Sequence, residues 1–226
     1  MASDHDGIDG QRRHWRSTFE GNPTMYGTQP SEPGRYAVEL FRAEGVRDVA
    51  ELGAGQGRDT LAFLQAGMTV TALDYADEGL AELREAAVAA GAGDRLTTIV
   101  SDAREPLPLP DAGMDAVYSR MLFSMALSTP ELERLAAEIH RVLRHGGLHV
   151  YTVRNIGDAH YRAGTEHRTV LGFATKSGRT HSPSSAENGR TQSRTRCPFA
   201  IGKRNLQLLQ RSAVVRTTAA VDIPGS

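Results

Sequence analysis

Between residues 46 and 154, short apolar runs alternate with segments in which apolar residues recur every three to four positions. The runs predict buried strands, and the segments between them have the period of helices. This alternation predicts an α/β fold with a doubly wound, mostly parallel sheet and right-handed crossovers. The predicted strands are 46–52, 68–74, 95–102, 114–120 and 148–154, and the predicted helices are 58–67, 76–91 and 128–147.

The last of these helices has clear start and stop signals. Ser128 or Thr129 can cap its start, Pro130 falls in its first turn, and Gly146 follows its basic end. Two acid–base pairs at helical spacing, 131/134 and 138/141, predict a solvated face with i,i+3 ion pairs. The buried stripe is predicted to comprise Leu132, Leu135, Ile139, Val142 and Leu143.

Each predicted strand ends at or near a polar residue. These residues are Glu51, Asp74, Asp102, Arg120 and Arg154. In doubly wound sheets ligands bind at the carboxyl ends of the strands. We therefore expect a binding site at this edge.

The turn from the first strand into the first helix contains Gly53, Gly55 and Gly57. Three glycines favour either a tight turn with positive φ or a cradle to which a cofactor comes close. The spacing departs from the G-x-G-x-x-G dinucleotide fingerprint, with Arg58 at its last position. The Glu51 carboxylate would repel a pyrophosphate but attract an ammonium or sulfonium. These features favour S-adenosylmethionine and disfavour the alternative, a nicotinamide-nucleotide-binding oxidoreductase.

Two further acids fit such a site. Asp74 can accept hydrogen bonds from ribose hydroxyls, as in NAD proteins and methyltransferases alike. Asp102 can accept one from the adenine amino group. An alternative stays open for Asp102, which could simply form a turn before the proline-rich loop.

Five stretches in order resemble the class I S-adenosylmethionine-dependent methyltransferases, in their small, single-domain, small-molecule-like members. The resemblance covers about residues 12–162. It implies a helix after the fifth strand and then an antiparallel hairpin whose last strand lies beside that strand. The stretches are VAELGAGQGRDTLAFLQAG, VTALDYADEGL, IVSDAREPLP, MDAVYSRMLFSM and HRVLRHGGLHVYTVRN.

The resemblance also implies cofactor-binding residues. The motif 51–55 would cradle the methionine part, the pair 74–75 the ribose and adenine, and the pair 102–103 the adenine. Ser119, or its neighbour Arg120, would lie beside the transferable methyl, and residues 146–147 match the turn before the fifth strand. The implied cofactor-binding residues are Glu51, Gly53, Ala54, Gly55, Asp74, Tyr75, Asp102, Ala103 and Ser119.

Methyl transfer is an in-line displacement, which a dry and aligned site assists more than an elaborate acid–base set. A base is needed only if the acceptor starts protonated. The catalytic candidates are Arg120, His160 and Tyr161. The loop RNIGDAHYR, residues 154–162, is interpreted as either a substrate rim or a solvated loop. The acceptor is expected to be a small molecule.

Residues 1–45 are predicted to form an N-terminal cap or lid segment before a methyltransferase domain at 46–166. Trp15 and Phe19, four positions apart, are expected to pack on one helix face. Met25, Tyr26 and Gly27 are assigned to a lid, because a similar segment in related proteins closes over the cofactor.

The charge of the chain reverses near its end. Its net charge is -1 over 226 residues, but residues 165–226 hold ten Lys/Arg and three Asp/Glu. Residues 167–226 have a disorder-like composition, in which 207–223 is the only stretch predicted to order. We interpret this tail as the product of a frameshift near residue 167, which would leave LHVYTV an unpaired edge and residues 167–205 poorly ordered. The alternative function is then a degenerate, inactive relative that binds cofactor weakly.

Composition narrows the remaining classes. The chain lacks a run of ~20 apolar residues and a signal-peptide pattern, so we expect a cytoplasmic protein with no membrane partner. A single cysteine and scattered histidines predict no metal site. The basic tail has only Phe173 and Phe199 as aromatic residues, which disfavours nucleic acid as a partner.

Overall fold

A six-stranded sheet lies at the centre of the protein. The computed structural model describes residues 6–21, 27, 29–125, 127–153, 165–166, 174–175 and 212–217. The helices are α1 (Asp6–Gly21), α2 (Glu32–Ala43), α3 (Arg58–Gln65), α4 (Asp77–Ala89) and α5 (Thr129–Val142). The strands are β1 (Asp48–Leu52), β2 (Thr69–Asp74), β3 (Leu96–Val100), β4 (Met114–Arg120), β5 (Leu143–Thr152), β6 (Thr165–Glu166), β7 (Ala174–Thr175) and β8 (Ser212–Arg216).

The order of strands in the sheet is β3-β2-β1-β4-β5-β8. The first five strands are mutually parallel, and β8 pairs antiparallel with β5. The predicted doubly wound α/β fold is therefore confirmed. Among the helices in the described ranges, none is long and apolar enough to cross a membrane.

Alternate residues of β4 feed two hydrophobic layers. Tyr118 packs with Phe41 of α2 and Phe63 of α3 on one face of the sheet. Val117 packs on the other face with α5, through residues such as Ile139. Because both faces are covered, the strands read as nearly continuous apolar runs, and polar side chains accumulate where the strands end.

Helix α5 begins as predicted but ends earlier. Ser128 donates from its backbone N and its Oγ to Glu131 Oε2, at 2.7 Å each, and so forms a capping box. The predicted end at residue 147 is wrong, because the helix stops at Val142 and Leu143 already pairs with Met114 of β4. Leu143 is buried in either conformation, so the apolar period could not mark the change.

Strand β8 covers the edge of β5, so the expectation that LHVYTV is an unpaired edge is wrong. Residues 212–216 pair with 148–152, where the resemblance places the last strand of the hairpin. Thr217 extends the contact by donating from Oγ1 to the Arg144 carbonyl at 2.8 Å. Residues 212–217 fall inside the stretch predicted to order. The segment predicted to be poorly ordered, 167–205, lies outside the described residues except for 174–175.

The loop between β3 and β4 is held by α5. Arg141 donates to the carbonyls of Leu107 and Leu109 at 2.9 Å each and to Asp111 at 2.6 Å. Glu138 accepts from the Leu107 backbone N at 2.8 Å and pairs with Arg141 at 2.7 Å. The predicted 138/141 ion pair is confirmed, but it clamps the proline-rich loop rather than serving only a solvated face.

Replacing Arg141 with alanine should destabilise the protein by about 2 kcal/mol, since two backbone carbonyls lose a charged donor. Urea unfolding measures the change. Arg134→Ala, at an exposed position of the same helix, is the control and should shift stability by less than about 0.5 kcal/mol. Equal losses in the two variants would show that the clamp does not stabilise the fold.

Candidate active site

The glycine loop follows β1 and has the backbone of a tight turn. Gly53, Gly55 and Gly57 have φ of +74°, +55° and +76°. A Cβ at Gly57 would collide with Leu83 of α4, so packing alone requires this glycine. A Cβ at Gly53 would lie no closer than 3.7 Å to another side chain. Gly57 therefore serves the fold, whereas a Cβ at Gly53 would make only ordinary van der Waals contact with Leu122.

Helix α4 approaches the loop at another glycine. A Cβ at Gly79 would lie 2.9 Å from the backbone C and O of Gly55. Only glycine permits this contact, so Gly79 helps to hold the loop in shape. The sequence prediction missed Gly79, although a glycine in the first turn of a strong helix is a usable signal.

Helix α1 lies over the same loop. Phe19 is 4% exposed, and its Cζ lies 3.2 Å from where a Gly55 Cβ would be. Its ring centroid is 5.6 Å from that of Trp15, which confirms that the two pack on one face of the helix. Arg16 pairs with Glu78 of α4 at 2.6 Å. Helix α1 thus contacts the glycine loop, while Met25 and Tyr26 lie outside the described residues.

Glu51 is a buried carboxylate in β1, two residues before the first glycine of the loop. It is 3% exposed and accepts a hydrogen bond from Thr60 Oγ1 at 2.6 Å. Burial raises the pKa of Glu51 well above its ordinary value, and the nearby charge of Asp59 adds to this shift. A cation bound above Glu51 would favour its ionised form.

Asp74 at the end of β2 bridges the loop and α4. Its Oδ2 accepts from Gly55 N at 2.8 Å, and its Oδ1 accepts from Ala76 N at 2.9 Å. Burial raises the pKa of Asp74 despite these bonds. The Tyr75 backbone also donates to this carboxylate. A carboxylate has about four lone-pair sites, so capacity remains for a ribose hydroxyl. Tyr75 follows and is half-buried.

Asp102 forms a turn and an ion pair. Its Oδ1 accepts from the Arg104 backbone N at 2.9 Å, and its carboxylate binds the Arg104 guanidinium through Nη2 at 2.6 Å and Nε at 3.0 Å. Asp102 therefore forms a turn, as the alternative interpretation predicts. Adenine binding by Asp102 stays a prediction. Ala103 packs at the border of the adjacent apolar cluster.

Ser119 lies at the end of β4, opposite Leu52 of β1 in register. It is buried, and its Oγ lies 3.2 Å from Nε2 of His149. Two residues further on, Met121 has a left-handed φ of +62° and donates from its backbone N to Thr152 Oγ1 at 2.9 Å. Such backbone strain clusters at functional sites. Arg120 lies between them, opposite Thr152 in β5.

The sequence prediction missed His149, which lies in an aromatic cluster with Phe123 and Tyr151. The His149 ring centroid is 4.9 Å from Tyr151 and 5.6 Å from Phe123. Burial lowers the pKa of His149 to about 3, so its imidazole is neutral near pH 7. The available signal was a histidine inside the mostly apolar run LHVYTV.

A second missed group joins α2, α3 and β4. Asp59 accepts from Ser31 N and Ser31 Oγ at 2.7 Å each and from Tyr118 OH at 2.9 Å. Burial, with a further contribution from the charge of Asp59, raises the pKa of Tyr118. The contacts fix the start of α2 beside the first turn of α3. Asp59 is not among the site residues predicted from the sequence.

The remaining candidates fall elsewhere. His160 and Tyr161, with Arg154, lie outside the described residues. Within the part of the chain that the structure describes, no group of three or more His, Cys, Asp or Glu side chains could hold a metal ion. The described site therefore brings together the ends of β1, β2, β3 and β4 and the adjoining part of β5.

Known proteins match this region of the chain in sequence. A family model described as a methyltransferase domain matches residues 49–147. A malonyl-[acyl-carrier protein] O-methyltransferase of Pectobacterium atrosepticum is 34% identical over 51% of this chain and 42% of its own. An uncharacterized methyltransferase of Mycobacterium tuberculosis is 33% identical over 53% of this chain and 44% of its own. The matches thus span less than half the length of these curated relatives.

A solved structure shares the fold and part of the sequence. The CcbJ methyltransferase from Streptomyces caelestis superposes with a TM-score of 0.51 and 27% identity, over 60% of this chain and 54% of its own. The strand order and the glycine loop agree with the sequence match to a methyltransferase domain. Residues 49–147 therefore match a methyltransferase domain in sequence, and the chain is similar in fold to a solved methyltransferase.

Proposed function

We propose that this protein transfers the methyl group of S-adenosylmethionine to a small-molecule acceptor by in-line displacement. The observation that carries the proposal is the buried Glu51 carboxylate, two residues before a glycine loop in which a Cβ at Gly53 would meet only the Leu122 side chain, at 3.7 Å. A cationic ligand without phosphate suits this arrangement. The catalytic unit is residues 46–166, with residues 1–45 as its cap.

The charges around the loop support this cofactor. Glu51 and Asp74 are acidic, and the pKa of each is raised by burial, so both carboxylates gain from a nearby positive charge. Arg58 is the base nearest in sequence, and its Nε lies 3.8 Å from Asp59. A pyrophosphate would meet net negative charge here, which disfavours a nicotinamide nucleotide.

The residues of this chain would mainly position the cofactor and the acceptor. Glu51 and the glycine loop would hold the methionine part, Asp74 and Tyr75 the ribose and adenine, and residues 102–103 the far end of the adenine. When bound, S-adenosylmethionine supplies an electrophilic methyl. Phe19 lies over the loop and limits the access of water to that side.

The acceptor would enter at the ends of β4 and β5. Ser119 and Arg120 lie there, and the half-buried rings of Phe123 and Tyr151 are 5.3 Å apart. These rings would supply an apolar wall, and Arg120 is the catalytic candidate in the described part of the chain. Alignment of the acceptor by such groups accounts for the rate, because the displacement itself needs little acid–base help.

Calorimetric titration of the full chain tests the cofactor assignment. S-adenosylhomocysteine should bind and NADH should not. A screen with radiolabelled S-adenosylmethionine against thiols, amines and chalcogen oxyanions then tests transfer. Tight binding of NADH without binding of S-adenosylhomocysteine would contradict the proposal.

Gly55→Ala should lower the affinity for S-adenosylhomocysteine at least about tenfold, since a Cβ would press on Phe19 and narrow the cradle. Gly91→Ala is a matched control, because Gly91 has φ of +67° and no atom within 4 Å of its Cβ position. Both variants should lose about 1 kcal/mol of stability from the left-handed backbone. Unchanged binding by Gly55→Ala would return the loop to a purely structural role.

Glu51→Gln should weaken binding of S-adenosylmethionine by about ten- to a hundredfold, because the ligand loses an anionic partner. In the native protein, affinity should rise as pH rises through the elevated pKa of Glu51, since the cation favours the carboxylate. The variant should lack this dependence. Glu133→Gln removes an exposed charge on α5 and should leave the pH profile unchanged.

Glu51→Gln should stabilise the ligand-free protein, although it weakens cofactor binding. The folded state holds a proton on Glu51 above its ordinary pKa of 4.5, so the stability from this group falls as pH rises from 4.5 through the raised value. Glu51→Gln should therefore raise the Tm at alkaline pH. A lower Tm there would mean that the carboxylate stabilises the empty fold.

A further inference from the structure

A buried polar pair lies next to aromatic side chains at the acceptor end of the proposed site. Ser119 Oγ and His149 Nε2 are 3.2 Å apart, and both residues are buried. Leu52, the last residue of β1, lies opposite Ser119 in register. Gly53, the first glycine of the loop, follows Leu52 directly. The hydroxyl is therefore held at the strand edge that borders the cradle.

The imidazole of His149 is neutral. Burial lowers its pKa to about 3, and the rings of Phe123 and Tyr151 lie beside it. A neutral imidazole has one donor and one acceptor nitrogen, whereas an imidazolium has two donors. Nε2 can therefore accept the hydroxyl proton of Ser119, and no positive charge from His149 opposes a cationic ligand.

We propose that His149 is a positioning residue, whose Nε2 accepts the Ser119 hydroxyl proton and so turns the Oγ lone pairs toward the transferred group. This inference rests on the proposed function, and it adds the tautomer of His149, with its proton on Nδ1. Ser119 then offers an acceptor to the polarised methyl. His149 acts through Ser119 and does not touch the cofactor.

The surrounding backbone favours a functional role over a contact that only satisfies the core. Met121, two residues after Ser119, has a strained left-handed φ, and the Thr152 hydroxyl of the neighbouring strand holds its backbone N. The strain sets the chain direction where β4 leaves the sheet. Strain retained at a strand end that borders a cradle is typical of sites that hold a ligand in fixed geometry.

Two cofactor analogues test the inference with the full chain. Sinefungin carries an amine where S-adenosylmethionine has its methyl, whereas S-adenosylhomocysteine carries nothing there. A Ser119 acceptor should make native protein prefer sinefungin by about ten- to a hundredfold. Ser119→Ala and His149→Phe should lose this preference and keep their affinity for S-adenosylhomocysteine.

Conservative and distant substitutions complete the design. His149→Gln can present an amide oxygen near the place of Nε2 and should recover most of the preference. His145→Gln replaces an exposed histidine at the opposite end of β5 and should behave as native. Nitrogen NMR of the imidazole should show the proton on Nδ1 in native protein. Ser119→Ala tests the pair from the other side if His149→Phe does not fold.

The outcomes separate the two proposals. Intact binding of S-adenosylhomocysteine with an unchanged sinefungin preference in Ser119→Ala or His149→Phe would overturn the positioning role alone. A proton on Nε2 would also overturn it. Failure of the native protein to bind S-adenosylhomocysteine would instead overturn the proposed function, and the positioning role with it.

Discussion

The hydrogen bond from the Gly55 amide to the Asp74 carboxylate sets the shape of the glycine loop. It joins the ends of β1 and β2, and the second oxygen of Asp74 holds Ala76 at the start of α4. With α4 fixed there, Gly79 can touch the backbone of Gly55. The loop, the helix and the rim acid therefore form one unit. Asp74 is a structural residue as well as a proposed ribose ligand, so its loss affects stability and binding together.

The same unit contains an electrostatic conflict. Burial raises the pKa of both Glu51 and Asp74, so the fold holds two acids in surroundings that disfavour their charge. Hydrogen bonds from Thr60 and from the backbone relieve part of this penalty. A cationic ligand would relieve more. Under the proposed function, the acids that weaken the fold would also select the ligand, a common trade-off between stability and function.

Much of the fold and the rim of the site could be predicted from the sequence because their signals are local. Apolar runs mark the five parallel strands, and Asp74 and Ser119 follow from where those runs end. The end of α5 was misplaced since Leu143 is apolar in helix and strand alike. Strand β8 was underestimated because its partner is far away in the chain, and its pairing depends on the open edge of β5 rather than on its own composition.

The polar contacts inside the site could not be predicted in the same way, because each joins distant segments. Ser31 and Tyr118 meet at Asp59 across 28 and 59 positions of the chain. His149 is different, since a buried polar residue in an apolar strand requires a partner. Register places His149 opposite Val117, and Ser119 lies two residues along on the same face. Side chains alternate along β4, so Ser119 lies on the same face of the sheet as Val117 and His149. Once the strand pairing is known, the Ser119 hydroxyl is therefore the polar group that the register brings to His149.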